Sequence, residues 1–147
     1  MDSINTEIGN NAEDIFMHTM MQAGYKVTRA SVDENMHKHI DFFIEHHGVI
    51  QSIDVKQAND SYSNLGIELV NKMGDTGFIF GEATLIAYLS HGSFLIFDRR
   101  DLLGFAIDYV SNHPTICCQS PGRKDTFFYI PTHILTSNVM HIVRDIA

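Results

Sequence analysis

The stretch His39-Ile40-Asp41-Phe42-Phe43-Ile44-Glu45-His46-His47-Gly48-Val49-Ile50-Gln51-Ser52-Ile53-Asp54-Val55-Lys56 is two apolar runs around a small polar turn. It reads as a β-hairpin. The simplest closure is a two-residue turn at His47-Gly48, because glycine accepts a positive φ. That closure sets Asp41 opposite Asp54 and His39 opposite Lys56. Side chains alternate faces along a strand. His39, Asp41, Asp54 and Lys56 therefore share one face, and Ile40, Phe42, Ile44, Ile53 and Val55 share the other, which faces the core. A slip of one residue would destroy this sorting.

Upstream, Asn10 or Asn11 is a suitable cap for a helix through Ala12–Ala23, with Ala12, Ile15, Phe16, Thr19, Met20 and Ala23 on one face. Glu13 and Asp14 fall in its first turn, where the helix dipole favours acids. Gly24 stops it. Tyr25–Ala30 alternates like a strand, and polar Ser31–Lys38 reads as a loop. Downstream, 59–66 reads as a loop and Ile67–Asn71 as a short strand. Phe78–Leu89 is apolar and ambiguous between strand and helix, with Ala83–Leu89 read as a buried strand, and Ser93–Phe97 is another strand. A helix starts near Asp98 and ends before Pro114. A loop spans His113–Arg123, Thr126–Ile130 is a strand, and Ile134–Ile146 a short helix or mixed segment. This order predicts one α/β domain over residues 1–147, a mixed β-sheet flanked by helices.

The 147 residues, 44% apolar and 19% charged, are enough for a real core. No apolar run approaches a membrane span, and the N-terminus lacks the pattern of a signal peptide. Two adjacent cysteines, Cys117 and Cys118, make a poor disulfide framework and point to a reducing, cytoplasmic setting. The net charge of −8 argues against a sequence-independent coat for nucleic acid. It leaves room for an enzyme whose acids hold a cation.

Two acids and a lysine on one hairpin face are the parts that phosphodiester hydrolysis needs. A bound divalent metal activates water and offsets charge on the phosphate. Mg²⁺ prefers carboxylates and keeps several waters. Asp41 and Asp54, with the Val55 carbonyl, make a candidate metal site, and Lys56 can stabilise the phosphate. His37-Lys38-His39-Ile40-Asp41 is similar to the ligand string of metallo-β-lactamase-type hydrolases, but Phe42 stands where that motif continues with a further histidine after the aspartate. Glu68 reads more plainly as an exposed strand acid than as a further ligand. Arg99-Arg100 and Arg123-Lys124 are the paired basic residues that could contact phosphates. Phe127, Phe128 and Tyr129 read as core strand residues rather than base-stacking groups.

Asp41-x12-Asp54-Val55-Lys56, preceded by a helix bearing Glu13, resembles the PD-(D/E)xK nuclease superfamily, which includes restriction enzymes, Holliday-junction resolvases and phage recombination nucleases. The resemblance covers roughly residues 9–58. It implies a restriction-endonuclease-like fold: a helix, a three-strand run, a second helix and a further strand. It implies Asp41, Asp54, Val55 and Glu13 as metal ligands, Lys56 as the catalytic lysine, and Mg²⁺, replaceable by Mn²⁺, as cofactor. His39, Gln57, Arg99 and Arg100 become candidate substrate contacts. DNA is the implied substrate and a homodimer the implied assembly, since two nicks need two sites. Ile40 stands where the superfamily has proline, and Asp54 where glutamate is commoner. The acidic charge supports an alternative, a non-catalytic protein on the same fold that binds a protein partner.

Overall fold

A computed structural model describes residues 2–70, 74–113, 117–119 and 125–147, with side chains from Asn11 onward except at 117–119. Asn71, Pro114, Arg123 and Lys124 lie outside the described residues.

Helix α1 spans Asp2–Gln22. It passes through Asn10 and Asn11, so neither caps it. Gly24, at φ 91°, ends the turn that follows. Strand β1 (Lys26–Arg29) leads to α2 (Val32–Lys38), then β2 (Phe42–His46) and β3 (Val49–Gln57). The chain continues through β4 (Asn64–Val70), one 3-10 turn (Phe78–Phe80), β5 (Leu85–Ser90), β6 (Ser93–Asp98) and α3 (Arg99–Asn112). It closes with β7 (Cys117–Gln119), β8 (Thr126–Pro131), α4 (Thr132–Asn138) and β9 (His141–Asp145).

The hairpin forms in the expected register, with Phe42 opposite Ile53 and His46 opposite Val49. Its turn has positive φ at both His47 (50°) and Gly48 (76°), the twist that suits a two-residue hairpin. The ladder stops at Phe42. Asp41 donates its N–H to the Ile53 carbonyl (2.8 Å), one residue off register, so it is not a ladder partner of Asp54.

The expected loop at Ser31–Lys38 is a helix. Ser31 Oγ accepts from the Glu34 N–H (3.1 Å) and Glu34 Oε1 accepts from the Ser31 N–H (3.0 Å), a full capping box. No residue of α2 is buried, so apolar spacing could not reveal it. His39 is its C-cap, left-handed at φ 54°, and so does not pair with Lys56 on a strand. Because the cap is the main support of so short a helix, Ser31→Ala is expected to cost about 1 kcal/mol in denaturant unfolding.

Strands β1-β2-β3-β5-β6-β9 form a six-stranded sheet, antiparallel except for β3 beside β5. Helix α1 packs Ala12, Phe16 and Met20 on one face, against Phe42, Ile44, Ile53, Phe94 and Ile96. The other face presents Ile86, Tyr88 and Phe97 to α3 and to a second sheet, β4-β8-β7. Strand β4 thus begins inside the expected 59–66 loop, β7 lies inside the expected 113–123 loop, and the C-terminal segment divides into α4 and β9. A parallel β3–β5 pair requires a long crossover. That crossover contains β4 and the 3-10 turn, and it brings their side chains over the end of β3. No helix among the described residues is long and apolar enough to cross a membrane.

Candidate active site

Where β2 begins and β3 runs on past it, a cleft of about 910 Å³ opens. Glu13, His39, Asp41, Asp54, Val55, Lys56 and Gln57 all line it. The carboxylate of Asp41 bridges two elements. Its Oδ1 accepts from Asn35 Nδ2 of α2 (2.6 Å) and its Oδ2 from the Val55 N–H of β3 (2.7 Å). Leaving the ladder one residue early is what frees that N–H for the side chain. Asn35 is a site residue that sequence reasoning missed, and the capping box was its only signal.

Asp54 is 2% exposed, and its Oδ1 lies 3.2 Å from Lys56 Nζ. Its Oδ2 is buried and meets no hydrogen-bond donor, and the carboxyl it adjoins is that of Asp41. Burial pushes its carboxyl well above the usual range, and the adjoining Asp41 carboxylate adds to this against the pull of Lys56. Burial pulls the Lys56 ammonium down, but Asp54 and Asp41 outweigh it, and its pKa lies above the usual lysine value. The ammonium also sits 4.4 Å from the centre of the Phe78 ring. It is a held, charged lysine, not a base.

Glu13 reaches the cleft from α1, 3.7 Å from Arg29, and burial, then Asp41, raises its pKa. His39 is pushed toward its neutral form by burial and by Lys56, and its ring bonds the Thr76 backbone. Gln57 donates its amide to the carbonyls of Ala58 (2.7 Å) and Leu89 (3.2 Å). Glu68 is not an exposed strand acid. It lines the cleft, accepts from the Phe78 N–H, and is raised by burial. Gly77 permits this, since a Cβ there would lie 2.2 Å from the Glu68 carbonyl oxygen.

Two candidates stand apart. Arg99 spends its guanidinium on the carbonyls of Ala83 (2.7 Å) and Ile79 (3.1 Å), bracing the 3-10 turn. Arg100 is exposed on α3, and neither residue lines the cleft. The HxHxD string does not converge either, because His37 faces Asp33 across 3.6 Å on the exposed side of α2.

Among the described residues no three His, Cys, Asp or Glu side chains form a metal cage on their own. Two abutting carboxylates with one orphaned buried oxygen nevertheless fit a cation. Like charges that close cannot both ionise cheaply, and a divalent ion is the partner that relieves both. With few protein ligands such an ion keeps waters, as Mg²⁺ does.

No family model matches the chain, and no curated sequence matches it. Among solved structures it is similar to a Holliday junction resolvase from the archaeal hyperthermophile Archaeoglobus fulgidus. The two are 12% identical with a TM-score of 0.50, over 91% of this chain and 91% of that one. A bacterial homing endonuclease aligns at 12% identity and TM-score 0.48, over 84% of this chain and 72% of that one. The chain shares the fold of that resolvase, a mixed sheet flanked by helices.

Proposed function

We propose that residues 1–147 form one divalent-metal-dependent endonuclease domain that hydrolyses DNA phosphodiester bonds, at branched or recombination intermediates. One observation carries the reading. Beside the Lys56 ammonium, the Asp41 and Asp54 carboxylates meet in an open cleft, and one buried Asp54 oxygen has no partner. The likeness of fold to a resolvase supports it.

In this reading Asp41, Asp54, the Val55 carbonyl and Glu13 hold Mg²⁺, or Mn²⁺ in its place. The bound ion would supply Lewis acidity and an activated water. Asn35 and the Val55 N–H fix the Asp41 carboxylate, so its orientation needs no rearrangement when substrate arrives. Lys56, held by Asp54 and Phe78, offsets charge that grows on the phosphate oxygens as the P–O bond breaks. His39, pushed toward its neutral form and bonded to the Thr76 backbone, would meet the substrate with its ring. Gln57, with its amide donors engaged, offers its carbonyl oxygen. Two copies of the chain would make the paired nicks a junction needs. The charge of −8 favours the non-catalytic alternative, a protein-binding module. The converging acids and lysine weigh against it, because such a module gains nothing from burying a carboxylate with one oxygen left without a donor.

The test is incubation of the purified protein with Mg²⁺ and linear, single-stranded and four-way-junction DNA. Cleavage that EDTA abolishes is expected. Intact DNA in every reaction, with Mg²⁺ and with Mn²⁺, would remove the reading.

A further inference from the structure

The outer face of the small sheet carries two aromatic rings that the cleft chemistry leaves unused. On β8, Phe128 and Ile130 are buried in the core, so Phe127 and Tyr129 project the other way. The expectation of core residues thus holds for Phe128, and in part for Phe127, which is half-buried against the same core, but not for Tyr129. The rings of Phe127 and Tyr129 stack, with centroids 5.7 Å apart and planes 18° apart.

Their neighbour across the ladder explains how they lie. Gly66 of β4 pairs with Tyr129, and Glu68 with Phe127. A Cβ at Gly66 would stand 3.2 Å from the Tyr129 ring and 3.3 Å from the Phe127 ring. The missing side chain lets both rings settle over the β4 backbone. Phe127 lines the cleft that holds Asp54 and Lys56, while Tyr129 is 42% exposed. The pair therefore runs from the cleft wall out onto the surface.

A duplex keeps its base faces stacked inside and shows proteins only edges and phosphates. Only a base that has left its stack can lie on an aromatic ring. Stacking of that kind is indifferent to sequence, because every base has a π-face. We propose that Phe127 and Tyr129 are a stacking platform for an unpaired nucleobase beside the cleft, so that the chain selects single-stranded DNA or DNA with unpaired nucleotides at the cut. The inference rests on the nuclease reading only for the phosphate that the cleft would hold.

The experiment measures fluorescence anisotropy of labelled oligothymidylate and of a blunt duplex of equal length, in Ca²⁺. The wild-type chain is compared with Tyr129→Ala, Tyr129→Phe and Gly66→Ala, each checked by thermal melting. The wild type binds the single strand more tightly. Tyr129→Ala weakens single-strand binding about 5- to 100-fold and leaves duplex binding within about twofold. Tyr129→Phe keeps the preference, and Gly66→Ala, which pushes the rings aside, weakens it. Equal wild-type affinity for both DNAs, equal losses on both, unchanged binding by Tyr129→Ala, or no single-strand binding at all each overturns the platform. A chain that cuts DNA without a Tyr129-dependent preference keeps the nuclease reading and loses this one. A chain that binds single strands through Tyr129 but cuts nothing does the reverse.

Discussion

Lys56→Ala is expected to slow DNA cleavage by about 10²- to 10³-fold, and Asp54→Ala by at least as much. The two losses have different origins. In the proposed reading Lys56 would supply a charge where phosphate charge develops, and it is held for that role: Asp54 lies 3.2 Å from its ammonium and the Phe78 ring lies beneath it. Removing it lowers the rate of the bound complex more than it lowers affinity. In the same reading Asp54 would supply an oxygen to the metal, so its loss should also resist rescue by excess Mn²⁺. Single-turnover cleavage across a Mn²⁺ titration separates them, with Lys56→Ala saturating at a low rate and Asp54→Ala failing to saturate. Rates within a few-fold of the parent for either variant would show that this cleft does not perform the chemistry.

The hairpin was legible because its signals are local. Alternating apolar residues fix the faces, and Gly48 marks the turn. Helix α3 was legible for the same reason, with Asp98 accepting from the Asp101 N–H (3.0 Å) at its start. Helix α2 was not. It buries no side chain, and its evidence was the Ser31–Glu34 spacing rather than periodicity. Reading it as loop also misplaced His39, which a left-handed cap turns toward the cleft from outside the ladder. Phe78 and Glu68 were illegible for another reason. They reach Lys56 only because β3 and β5 are parallel and the crossover between them folds over the site. Within that segment only Gly77, which lets the chain close on Glu68, bears on the arrangement. Pairing of β4 with β8, some sixty residues apart, is likewise what turns Phe127 and Tyr129 outward. In Arg99 the residue type misled. A guanidinium at a helix start suits a phosphate, but two backbone carbonyls had already claimed it.

Saturating Mn²⁺ is expected to raise the melting temperature, by about 5–10 °C when the ion stands near 100 times its dissociation constant. The rise should be larger near pH 8 than near pH 5. The sign follows from Asp54. Its carboxyl titrates above the ordinary 3.8, because burial and Asp41 disfavour its charge. Without metal, the folded protein binds a proton there that the unfolded chain has already released. This group therefore costs stability above its raised pKa, and the cost fades as pH falls toward the unfolded value. Glu13 and Glu68 are raised by burial and act in the same direction. A cation reverses the dependence, because it binds the ionised carboxylates and must displace the proton to do so. Asp54→Asn should abolish the Mn²⁺-induced rise and reduce the metal-free pH dependence together, leaving only the share of Glu13 and Glu68. If Asp54→Asn retains the full rise, the ion binds elsewhere. If no divalent ion moves the wild-type melt at any pH, the two carboxylates share a proton rather than a metal.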